Sequence, residues 1–362
     1  MSALIAVLSG RTRLSALSPQ TRATTLRCAE RLGLLTRLWL DSTRSGDLER
    51  LPPRTAAKLS QSRFRADAAA ARLRQEAAHL ADALRPLGLP VIVLKGAAYE
   101  LAGDAAALGR ISGDVDILVP KAGLDRAERL LATAGWRISP DKASPADQHY
   151  YRAWMHELPP MRHRTRGTEL DVHHTILPPV GRLVPAIDRL LLRTVPLSPA
   201  PLHALHPHDR ILHACAHLFF DGAAERGLRN LLEIADLLLE HVRTPQAWAA
   251  FVDRAHEVNL PVPAYYGARL AGDLFGIAGP PDRLRSLARA AGVNRPSLLA
   301  LFRTRITAEA RLPGGGWAAR AAAGPLFVRG HWIKMPLPLL IRHALNKQRR
   351  STRLPARQDR PA

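Results

Sequence analysis

Apolar residues recur three or four positions apart through the N-terminal quarter of the chain, most regularly in TTLRCAERLGLLTRLWL and RADAAAARLRQEAAHLADALRPLG. That spacing predicts amphipathic helices from about Ser18 to Gly88, punctuated by Gly33, Pro52 and Pro53. The pattern then changes. PVIVLKG is a short β-branched run closed by glycine, which predicts a buried strand leading into a turn and a short helix, AAYELAGD. GDVDILVP predicts a second strand, and KAGLDRAERLLATAGW an amphipathic helix ending at Gly135. Another strand is expected over Gln148 to Leu158. A clearer one lies in TELDVHHTIL, where Leu170, Val172 and His174 alternate with Glu169, Asp171 and His173. The sheet is expected to end there, with helices resuming after LPPVG through ILHACAHLFF and LRNLLEIADLLLEHV to about Ala323.

The expected architecture is therefore α+β. Residues 1–88 form an N-terminal helical region, 89–178 a small mixed-sheet core and 179–325 a C-terminal helical region. Residues 326–362 form a basic tail, expected to be disordered from HALNKQRRSTRLPARQDRPA onward.

Composition sharpens this picture in three ways. With 362 residues, 47% of them hydrophobic, the chain can bury a sizeable core. Its formal charge of +21 comes mostly from arginines spread along the whole length, so weak attraction to polyanions is expected. The compact basic block of a dedicated nucleic-acid surface is missing. Only Cys28 and Cys215 occur, which excludes a disulfide framework and a cysteine zinc site. No basic segment precedes the apolar run at the N-terminus, and no stretch approaches the roughly 20 apolar residues of a membrane span. A soluble, cytoplasmic protein is expected.

The candidate chemistry lies in the strands. Successive strand residues face opposite ways, so Asp114 and Asp116 project together while Val115, Ile117 and Val119 back them. Two carboxylates on one face repel unless a hard cation binds them, and Mg2+, which takes carboxylate, water and phosphate oxygens, is the natural candidate. Gly113 leaves room for close approach by a substrate, and the turn at Lys95 and Gly96 can offer backbone N–H groups to phosphate. Lys95 reads equally as a phosphate contact and as an ordinary surface lysine. Arg110 could clamp the same phosphates. Asp171, with Glu169 and His173 on its face, offers a third carboxylate of the kind that completes a metal centre for phosphoryl transfer.

The run VLKGAAYELAGDAAALGRISGDVDILV, followed by ELDVHH, resembles the DNA polymerase beta-like nucleotidyltransferase superfamily. The closer resemblance is to the bacterial family known as uncharacterised nucleotidyltransferases. It implies that Asp114, Asp116 and Asp171 are catalytic metal ligands and that Lys95 and Gly96 form the phosphate-side turn. The implied reaction is magnesium-dependent transfer of a nucleoside monophosphate from a nucleoside triphosphate, ATP among them, to a hydroxyl of a small molecule, a protein or an RNA. In many members the glycine is followed by Ser, whereas here Ala97 follows Gly96, and the interval from Gly96 to Asp114 is longer than usual.

Two other readings follow from the same chain. His203, His206, His208, His213 and His217 cluster in sequence, and the last two have helical spacing, which suggests zinc. Yet Cys215 lies off the stripe of His213 and His217, and the helix is apolar enough to be core, so buried or hydrogen-bonded histidines are expected instead. Alternatively, the fold could serve without catalysis, holding nucleic acid or a partner protein on its basic surface.

Overall fold

The computed structural model describes residues 2–220, 226–277, 279–290, 296–311 and 316–340. The tail expected to be disordered lies outside these residues. Seven strands form one mixed sheet: β1 (Val91–Leu94), β2 (Asp114–Leu118), β3 (Trp136–Ile138), β4 (Met161–His163), β5 (Glu169–His173), β6 (Thr194–Pro196) and β7 (Leu202–Leu205). Their order is β3-β4-β5-β2-β1-β7-β6. β2 is central, antiparallel to β1 and parallel to β5, while β1 also pairs in parallel with β7. The fold is α+β, as the alternation of strand and helix patterns predicts.

Two expectations are corrected. The sheet does not end near Leu177. It continues through β7 and β6, strands too short and too proline-rich to read as strands, with Pro196 tolerated because β6 is an edge. The strand expected at Gln148–Leu158 is instead a helix, Pro145–Trp154. Ser144 caps it by accepting from the Asp147 N–H, Pro145 occupies its first turn, and Tyr150 and Trp154 meet one turn apart, edge to face.

The alternation of side chains along β1, β2 and β5 sorts the core into two halves. Val91, Val93, Val115, Ile117, Val119, Leu170 and Val172 face helix Pro53–Leu84 and helix Leu124–Thr133. Ile92, Leu94 and Leu118 face the other way, into a larger core. That core joins the N-terminal helices, through Leu4, Leu38 and Leu59, to helices Pro207–Phe220, Gly227–His241, Pro245–Glu257 and Pro261–Phe275. The 32-residue helix Pro53–Leu84 contributes to both cores, through Leu59 at one end and Leu73 to Leu84 at the other. Buried ion pairs bind the helices. Arg254 grips Asp209 at 2.7 and 2.8 Å, and Arg37 pairs with Asp236. No described helix is long and apolar enough to cross a membrane.

Candidate active site

The parallel register of β2 and β5 places Asp114 opposite Glu169 and Asp116 opposite Asp171. Opposite residues on neighbouring strands share a face, so the pairing gathers all these carboxylates on one surface. Asp114, at the first position of β2, is exposed; Asp171 is partly covered; Asp116 is buried at 3% exposure. Leu94, the last residue of β1, lies across from Asp116. The next residue, Lys95, adopts a left-handed backbone (φ 47°), and its Nζ lies 2.7 Å from Asp116 Oδ1. A non-glycine residue in that conformation costs on the order of 1 kcal/mol, here offset by a charge-assisted contact. His173 Nε2 lies 3.1 Å from the same oxygen, and because a carboxylate only accepts, that nitrogen carries the proton.

The electrostatics divide the two central acids. Burial pushes the Asp116 carboxyl up, but Lys95 and the His173 hydrogen bond outweigh it and hold the group well below the usual carboxylate range. Asp171 goes the other way, pushed up to about 7 by burial and by the neighbouring Asp116, with Lys95 opposing and Asp114 and Glu169 adding to the rise. The cluster therefore carries less positive charge than its carboxylates call for, even with Lys95 in place. A set of oxygen ligands short of positive charge fits a hard divalent cation, and Asp114, Asp116 and Asp171 are the residues that would hold it.

The turn beside this cluster is tightly built. A Cβ added at Gly96 would collide with the Arg110 guanidinium and the Ser112 hydroxyl, so any larger residue requires those side chains to move aside. Arg110 donates from Nε to Glu233 Oε1 at 2.9 Å and also bonds Ser112, with its guanidinium 5.9 Å from the Tyr99 ring. Arg110 thus stands against the turn, anchored by helix Gly227–His241. At Gly113 an added Cβ would meet nothing within 4 Å, leaving that approach open.

The structure thus brings Asp114, Asp116, Asp171 and Lys95 together, with Gly96 and Arg110 alongside. It also adds residues that the sequence did not single out: His156 and Glu157, which follow helix Pro145–Trp154 and flank His173. Tyr151 on that helix lies close enough that burial, the Glu157 and Asp171 carboxylates and Tyr150 raise its phenol. Among the described residues, neither the histidines between 203 and 217 nor the three aspartates bring three ligand atoms all within 4.8 Å of one another. His213 is buried, and Cys215 packs where a side chain at Gly267 would otherwise sit.

The sequence pattern of the family described as uncharacterised nucleotidyltransferase matches residues 18–276, well over half of the chain. The chain belongs to this family. The match takes in the whole sheet, the carboxylate cluster and helices Pro207–Phe220 to Pro261–Phe275. No curated protein and no solved structure matches the chain significantly.

Proposed function

We propose that this protein is a magnesium-dependent nucleotidyltransferase that moves a nucleoside monophosphate from a nucleoside triphosphate to a hydroxyl acceptor and releases pyrophosphate. The observation that carries the reading is the side-by-side register of Asp116 and Asp171, with Asp114 two residues away on the same face. In this reading Asp114, Asp116 and Asp171 hold Mg2+, which when bound neutralises charge on the transferring phosphate. Lys95 shields Asp116 in the resting protein and turns to the triphosphate when nucleotide arrives. Gly96 and Gly113 let the phosphates approach the backbone, and Arg110 sets the shape of the turn from its anchor on Glu233. Asp171, the acid that most readily takes up a proton, receives the one leaving the acceptor hydroxyl. Catalysis on this plan is positioning and charge neutralisation.

Titration calorimetry of ATP, GTP, CTP and UTP with Mg2+ into the wild type and the Asp114→Ala/Asp116→Ala double variant tests the reading. Wild-type binding that vanishes without Mg2+ or in the double variant supports it. A wild type that binds no triphosphate, but binds nucleic acid with steep salt dependence unaffected by Asp114→Ala, replaces it with a non-catalytic scaffold.

A further inference from the structure

Beside the aspartates lies a second set of ligand-type side chains on its own backbone scaffold. After helix Pro145–Trp154 the chain runs back along the end of β5. The Leu158 N–H donates to Val172 O and the His174 N–H to His156 O, both at 2.8 Å, with Glu157 bridged opposite His173. Residues opposite one another in an antiparallel bridge put their side chains on one face, which brings Glu157 against His173. Glu157 Oε2 is 3.6 Å from His173 Nε2 and 3.8 Å from His156 Nε2, and one ligand atom from each of the three lies within 4.8 Å of the others. The two imidazole rings are 5.1 Å apart, tilted by 36°.

These separations exceed the roughly 2.7–3.2 Å of a good hydrogen bond. They approach the spacing of about 3.3 Å between two corners of a tetrahedron whose centre lies about 2.0–2.1 Å from each, the geometry of zinc with nitrogen and oxygen ligands. Two imidazoles with one carboxylate are a poor set for Mg2+, which favours oxygen, and a good one for a borderline transition ion. We infer that His156, Glu157 and His173 form a transition-metal site, zinc in the first instance, separate from the aspartate set and leaving a fourth position for water or substrate. Binding through Nε2 requires His173 to carry its single proton on Nδ1 instead, so the imidazole exchanges its hydrogen bond to Asp116 for the metal. The two sites share a hinge residue without sharing ligands. The inference does not depend on the nucleotide reading, since the site is defined without Asp114 or Asp171.

Equilibrium dialysis of the full-length protein against Zn2+ in excess Mg2+, with zinc counted by atomic emission, tests it. The wild type and Asp114→Asn/Asp171→Asn should each retain about one zinc per chain. His156→Ala/Glu157→Gln should bind it at least about tenfold more weakly. Zinc retained undiminished by His156→Ala/Glu157→Gln, or lost on changing Asp114 and Asp171, would overturn the site. If the histidine variant does not fold, the wild type alone decides: Zn2+ but not Mg2+ must shift two imidazole resonances in the NMR spectrum. A titration that moves none disproves the proposal.

Discussion

The molecule holds two clusters that mix carboxylates with histidine, and they are built on opposite principles. In one, Asp104 accepts from Arg210 at 2.7 Å and from His241 at 3.0 Å, and Glu240 accepts from the Ala105 backbone N–H at 2.7 Å. Arg210 also donates to Leu205 O, tying β7 to the end of helix Lys95–Ala102. The buried acid there, Asp104, has an arginine of its own against it. In the other, Asp114, Asp116, Asp171, Glu169 and Glu157 crowd one sheet face around Lys95 and His173. A buried acid matched by its own arginine holds a fold together, whereas acids packed beyond the cations available to them need something from outside.

Exchanging single groups separates the two principles. Asp116→Asn should lower nucleotidyl transfer at least about a hundredfold while leaving the protein folded, measured as turnover at saturating nucleotide and Mg2+. Unaltered turnover would remove Asp116 from the chemistry. Arg210→Met should do the reverse, leaving the buried Asp104 uncompensated at a cost of about 3–5 kcal/mol in denaturant unfolding, with nucleotide affinity retained by the folded fraction. A smaller effect, about 1–3 kcal/mol, is expected for Gly96→Ala, because the new methyl must displace Arg110 and Ser112; it should appear as weaker triphosphate binding together with lost stability.

The smallest effect concerns pH. The folded protein keeps a proton on Asp171 up to about pH 7, whereas the unfolded chain has released it by about pH 4–5. This group therefore favours the folded state less as pH rises through that window. On the proposed function Mg2+ would take the proton's place, and Mg2+ should then raise the melting temperature by several degrees more at pH 8 than at pH 5.5. An equal rise at both values would show that the cation binds away from Asp171.

The strands that carry the acids were legible because alternation in GDVDILV and TELDVHH has a fixed period, which puts Asp114 and Asp116 on one face, whereas Asp171 joins them only through the pairing of β2 with β5. The turn at Gly96 was legible as a turn, but its reason was not. Arg110 fills the space of a side chain there only because Glu233, on a distant helix, holds it. His156 and Glu157 left no signal, since a non-local bridge to His173 brings them in, just after a helix where a strand was expected. β6 and β7 were hidden in a proline-rich stretch whose pairing depends on β1 being present to receive it.

The parallel pairing of β2 with β5 has a consequence for how such a protein can diversify. The distance between Asp116 and Asp171 is set by one ladder of hydrogen bonds and not by the chain between them. That chain, residues 119–168, carries two helices, two further strands and the aromatic side chains beside the acids, and it must only leave one strand and return alongside it. Insertions, deletions and wholesale changes of surface in that excursion leave Asp116 and Asp171 side by side. The pair of acids and the surface beside them can therefore change independently within one sheet.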